Sequence, residues 1–167
     1  DQSPPPMDQT MHGGTQIPNN LFQNPLGLTS IIKNQITTEL TEYIKTLNDD
    51  PTHPFLCYKN INFKYTGAWS TILYDEGYDS NHIHNEGWLS GVYYIKVPNL
   101  SEEVWENGQG CLQFGEPPSL FLSQLNKVSL FLRPEEGRVV FFPSYYWHGV
   151  KPFKKKGLRH AIAFDII

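Results

Sequence analysis

The chain has 167 residues, of which 39% are hydrophobic, 14% aromatic and 18% charged, with a formal net charge of −4. That length encloses one sizeable core, and the aromatic content favours strands over a helical bundle. A disordered chain is excluded, and so is nucleic acid as a routine partner, because phosphate binding needs concentrated Lys and Arg and there is no long basic run.

The one basic cluster, Lys154-Lys155-Lys156, reads as a solvated loop. Cys57 and Cys111 lack the CxxC spacing of a metal ribbon and do not suggest a disulfide framework, so a reducing, cytoplasmic setting is expected. No stretch approaches about 18 consecutive apolar residues, so no membrane partner is expected, and the N-terminus lacks the form of a signal peptide. The opening DQSPPPMDQT reads like a linker cut from a longer chain.

Residues 1–27, rich in Pro, Gly, Asn and Gln and without a sustained period, are expected to form an extended arm. Residues 28–167 are expected to form one domain. Within it, Ile32, Ile36, Leu40, Tyr43, Ile44 and Leu47 recur with the spacing of one helical face, predicting a helix over 30–47. Ser30 is its candidate cap, and NDDP at 48–51 its stop. Beyond Pro51 the character changes to short runs of Tyr, Phe, Val and Ile punctuated by Gly, Pro and Asn. Strands are predicted at 56–58, 61–65, 68–74, 91–97, 111–114, 128–132, 138–142 and 160–166. Such a series suits a mainly β, two-sheet jelly roll rather than βαβ units. The stretch 115–127 reads as a long connection carrying a helical turn.

Chemistry concentrates in two places. In HIHNEGW (82–88), His82 and His84 share one face of an extended strand, and Glu86 joins them only if the strand continues. Imidazole is the commonest ligand for iron, zinc, copper and nickel, and a carboxylate suits iron further. In PEEGRVVFFPSYYWHGVKPF (134–153), Pro143 is expected to end an apolar, buried strand, which leaves His148 at a mouth of the core. Arg159, eleven residues later, opens the last strand and can aim a bidentate fork at an acid bound beside the metal. The plainer readings are a stacked histidine for His148 and a salt bridge with Asp165 or Glu135 for Arg159.

Together these motifs resemble the iron(II)- and 2-oxoglutarate-dependent oxygenases. More narrowly, HIHNEGWLSGVYYIKVP, LQFGEPP, FFPSYYWHGVKPF and RHAIAFDI resemble a bacterial and phage branch often fused to tetratricopeptide repeats. The resemblance implies a double-stranded β-helix, with Fe(II) as cofactor and 2-oxoglutarate and dioxygen as co-substrates. It implies hydroxylation of an unidentified substrate, a protein, peptide or small metabolite, with release of succinate and CO2. His82 and His148 match the first and distal metal histidines and are the catalytic candidates; Arg159 matches the residue that binds the distal carboxylate of 2-oxoglutarate.

The third ligand departs from the wider pattern, which has Asp or Glu where this chain has His84. An all-imidazole set of His82, His84 and His148 is favoured; Glu86 in place of His82, and water as third ligand, stay open. Ala161 stands where many relatives carry a hydroxyl, so Tyr94 or Tyr74 is expected to supply that hydrogen bond. Trp88, Tyr146 and Trp147 are candidates for a substrate groove. Two rival readings remain, a cupin-type metalloenzyme that does not use 2-oxoglutarate and a non-catalytic binding or sensor module. Pairing of the chain as a homodimer is left open.

Overall fold

The computed structural model describes residues 10–17, 20–117, 129–154 and 156–167. Its centre is one curled antiparallel sheet built on an unusually long strand. The strands are β1 (Met11–Ile17), β2 (Tyr65–His82), β3 (Leu89–Lys96), β4 (Leu112–Phe114), β5 (Leu130–Leu132), β6 (Val139–Pro143), β7 (His148–Val150) and β8 (Arg159–Ile166). The helices are α1 (Leu28–Thr46) and the short α2 (Glu102–Glu106). Strand order is β5-β4-β7-β2-β8-β3-β6, with β1 also paired to β2. The first half of β2 pairs with β8 and its last residues pair with β7, so one strand joins the two arms of a half-barrel, the jelly roll expected from the strand count.

Two-residue alternation divides the side chains of the sheet. On β8, His160, Ile162, Phe164 and Ile166 face one way, and Arg159, Ala161, Ala163 and Asp165 the other. Ile162, Phe164 and Ile166 join Ala68 and Leu89 in a core sealed by Ile36, Leu40 and Ile44 of α1, while the half-buried His160 ring hydrogen-bonds the Ser70 hydroxyl at 2.7 Å. The concave face carries a second apolar cluster, in which Val92, Tyr94, Leu112, Phe114, Phe142 and Ala161 pack together.

Several elements differ from expectation. Helix α1 begins at Leu28, and Gly27, at φ 56°, occupies the capping position in place of Ser30, which lies inside the helix. Residues 56–58 form a 3-10 turn rather than a strand, and the strand predicted from 61 begins only at Tyr65. Pro143 remains in β6, paired with Leu89, because proline forfeits only its own N–H. His148 is therefore not a loop residue beyond a strand end but the first residue of β7. The segment expected to be an arm contains β1, and the helical turn expected within 115–127 falls mostly outside the described residues. Both cysteines are free, Cys57 exposed and Cys111 buried. No described helix is long and apolar enough to cross a membrane.

Candidate metal centre and adjoining cavity

His82 and His148 converge because they are cross-strand partners on β2 and β7. Directly opposed residues on one face of a sheet are the closest neighbours it offers, and the two rings sit with centroids 4.4 Å apart. His84 lies just past the end of β2, where its backbone N–H donates to the Ser144 carbonyl at 2.9 Å. Its ring centroid is 4.9 Å from that of His148. One nitrogen from each of the three histidines falls within 4.8 Å of the others, a group that can hold a metal ion.

The proton on each ring is fixed by what faces Nδ1. His82 Nδ1–H donates to the Ser80 carbonyl at 2.7 Å, and His148 Nδ1–H to the Tyr146 carbonyl at 2.9 Å. His84 Nδ1–H donates to Asp165 Oδ1 at 2.6 Å. All three Nε2 atoms are left as lone-pair donors pointing inward, the arrangement in which outer partners set the tautomer of a metal-ligating histidine. His82 Nε2 and His84 Nε2 lie 3.1 Å apart. Two lone pairs at that distance repel unless a cation lies between them. Imidazole–metal bonds of about 2.1 Å at right angles put neighbouring donors about 3 Å apart, so this pair suits adjacent positions of an octahedral ion.

Burial, with His82 and His84 alongside, pushes His148 down to about 3, so this ring stays neutral and able to ligate. Phe142 and Phe114 pack against it, with ring centroids at 4.6 and 6.3 Å. Asp165 is itself held by Ser90, which donates to its Oδ1 at 2.6 Å and lies 2.8 Å from Ser144 Oγ. Gly87 makes room for this network, since a Cβ there would come within 2.5 Å of the Ser144 hydroxyl.

From the histidines a narrow cavity of about 50 Å³ runs inward, lined by Trp69, Thr71, Val92, Arg159 and Ala163 among others. Arg159 is only 2% exposed and lies over the Tyr94 ring, its guanidinium carbon 5.0 Å from the centroid. Arg159 Nε and Nη2 and the Tyr94 hydroxyl are buried without a hydrogen-bond partner. Neither Asp165 nor Glu135 pairs with Arg159: Asp165 is occupied by His84, and Glu135 pairs with Arg138 at 2.7 Å. Burial raises the Tyr94 phenol, with Arg159 opposing the shift, and a protonated phenol beside a guanidinium is a pair of donors awaiting an anion. A carboxylate fits that requirement. On the other side of His82 and His84 the site opens into a wider cleft of about 1130 Å³, walled by Met11, Gly14 and Gln16 of β1 and by Asn85 and Glu86.

The remaining candidates are dispersed. Glu86 is exposed in the turn after His84 and outside the histidine group. Tyr74 follows Leu73 on β2 and so faces away from the cavity, 48% exposed. Trp88 is buried against Phe55, donating its ring N–H to the Phe55 carbonyl at 2.8 Å, so it belongs to the core side rather than a groove at the histidines. Tyr146 is 47% exposed, and Trp147 is half-buried just before β7. Sequence reasoning missed Asp165, Ser90 and Ser144, the network behind His84. Alternation along RHAIAFDI puts Asp165 on the Arg159 face, but its histidine partner is 81 residues away in sequence and emerges only from the sheet register.

Residues 67–165, more than half of the chain, match the family model described as "Putative 2OG-Fe(II) oxygenase". No curated protein sequence matches the chain. Among solved structures, an oxidoreductase of the 2OG-Fe(II) oxygenase family from Burkholderia pseudomallei superposes with a TM-score of 0.56 at 10% identity, covering 84% of this chain and 56% of that one. A prolyl-4-hydroxylase from Pseudomonas putida gives 0.55 at 15% identity, covering 96% and 74%. A prolyl hydroxylase from Trichoplax adhaerens, in complex with a hypoxia inducible factor oxygen degradation domain peptide fragment, gives 0.56 at 17%, covering 95% and 64%. At these identities the likeness is one of fold, and the chain spans little more than half of the Burkholderia protein.

Proposed function

Because the chain belongs to the 2OG-Fe(II) oxygenase family, we propose that it is a 2-oxoglutarate-dependent non-haem iron dioxygenase that hydroxylates a C–H bond of a protein, peptide or small metabolite. The observation that carries this reading is a pairing of unmet demands: His82, His84, His148 and Arg159 line one narrow cavity, and Tyr94 lies beneath the Arg159 guanidinium. Three convergent imidazole lone pairs ask for a cation, and the buried, unpartnered donors of Arg159 and Tyr94 ask for a carboxylate.

In this reading His82, His84 and His148 hold the iron, and Arg159 and Tyr94 hold the distal carboxylate of 2-oxoglutarate. When bound, the metal and co-substrate supply the oxidising chemistry: dioxygen gives one atom to succinate, formed with CO2, and the other to the substrate C–H bond. The residues of the chain position and shield. Asp165 orients His84, Phe114 and Phe142 keep water from the buried side of His148, and the β1 cleft admits the substrate toward His82 and His84.

Purified protein supplied with iron, ascorbate and 2-oxoglutarate is expected to release succinate. Arg159→Ala is expected to weaken 2-oxoglutarate binding roughly 100-fold, the loss of two charge-assisted hydrogen bonds, while metal loading stays nearly intact. Failure of the unaltered protein both to bind 2-oxoglutarate and to release succinate would remove the proposal in favour of a metalloprotein that does not use it. Equal loss of metal and 2-oxoglutarate binding in the variant would make Arg159 structural.

A further inference from the structure

We propose that the substrate is a basic, extended polypeptide segment that adds as a strand to the outer edge of β1, a specificity that rests on the reading of the histidine site as the oxidising centre. β1 pairs with β2 on one side, and among the described residues nothing pairs with its other edge. Its sequence, MHGGTQI, holds no Lys, Arg, Asp, Glu or Pro, the residues that keep such an edge from taking up another chain. The register shift at Gly13, which stands at φ 64°, confines regular pairing to residues 14–17, all exposed. Backbone groups of alternate residues point to opposite edges of a strand, so half of these residues offer N–H and C=O outward. The break at Gly13 falls toward the histidine end of β2, since Met11 lies opposite Asp79. A peptide laid on residues 14–17 leaves the edge there and crosses the mouth of the cleft that β1 walls.

Charge identifies the occupant. Asp79, Glu86 and Asp165 line that cleft, and no Lys or Arg does. Asp165 is taken by His84, but the other two carboxylates are unmatched. Asp79 Oδ1 stands 3.9 Å from His82 Nδ1, beyond hydrogen-bond distance, and is buried without a partner. Glu86 is exposed and makes no ion pair among the described residues. An acidic segment is repelled here, and a basic one supplies the missing donors. Reach points the same way. A backbone on the outer edge of β1 lies two strand spacings, about 10 Å, from β2, which carries His82. A long side chain is needed to span that gap, and Lys and Arg provide one with a positive charge at its tip.

The test is fluorescence anisotropy with the full chain, in the presence of Mn(II) and without oxygen. The probes are labelled peptides of about ten residues in which Lys alternates with Thr, and counterparts with Glu in place of Lys. The basic peptide is expected to bind roughly tenfold more tightly than the acidic one, and Glu86→Gln to weaken it about threefold to fivefold. Methylating the backbone nitrogens of the Lys residues, or separately those of the Thr residues, blocks one edge of the peptide while keeping its charge. One of the two sets is expected to abolish binding and the other to leave it intact. Equal affinity for basic and acidic peptides, or loss from both methylated sets or from neither, would overturn the proposal. So would a full chain already dimeric that the basic peptide does not dissociate, which would give the edge to a second copy. Separate assays of 2-oxoglutarate binding and succinate release keep the two readings apart. Both activities without peptide binding would overturn this proposal alone; peptide binding without either would overturn the oxygenase reading and, with it, the peptide's role as substrate.

Discussion

Asp165 is an outer partner of the proposed metal site rather than a ligand, yet it governs how His84 presents its Nε2 atom. Three neutral imidazoles leave the charge of a divalent ion unbalanced at the first layer, and Asp165 returns one carboxylate a single ring further out. Asp165→Asn keeps an acceptor and loses the charge, and is expected to weaken metal binding about tenfold. Asp165→Ala loses both, and about 100-fold is expected, measured by competition with a chromogenic chelator. At this scale the sequence is legible where chemistry is local. His82 and His84 are two residues apart, and His148 and Arg159 stand in recognisable surroundings. It is illegible where the role depends on register, and so Asp165 reads at first as a salt-bridge partner for Arg159, although six residue steps along the strand separate the two by about 20 Å.

Among the elements, α1 is the most legible, because its apolar face repeats over about four turns and meets the sheet face opposite the site. Leu40, fully buried there, is expected to cost about 2–5 kcal/mol when replaced by Ala, measured by urea unfolding, with metal affinity unchanged. Strands β1, β2 and β7 were harder to foresee, each for its own reason. Gly13 and Gly14 dilute the strand pattern of β1, yet β1 needs Gly14, where a Cβ would sit 2.4 Å from the Ile72 carbonyl oxygen. In β2, the strand expected at 68–74 runs on: Glu76 takes φ 62°, but pairing resumes beyond it and carries the strand to His82. Three residues are too few to give β7 a pattern of its own, and it is held by β2 on one side and β4 on the other.

For the molecule as a whole, the buried histidines couple stability to acidity. His148 ionises near 6.5 in an unfolded chain and at about 3 in the fold, so between these values the unfolded state binds more protons. His160 is shifted the same way by burial. Stability of the metal-free protein is therefore expected to be fully present above about pH 6.5 and to decline as pH falls toward 3. Thermal melts across that range should show the decline, and His148→Gln, which carries no ionisable group, should make it shallower.

Strand β8 carries Arg159 at one end of its inner face and Asp165 at the other, with only Ala161 and Ala163 between them. It acts as a fixed ruler inside the site: the spacing between the proposed anion-binding end and the proposed metal end is written in an even number of residues. A one-residue insertion or deletion between them would turn one end outward and bring Ile162 or Phe164 into the space the two alanines leave. The length of this strand is therefore under tighter constraint than the identity of most residues in it, and variation compatible with the site is confined to changes that keep its count.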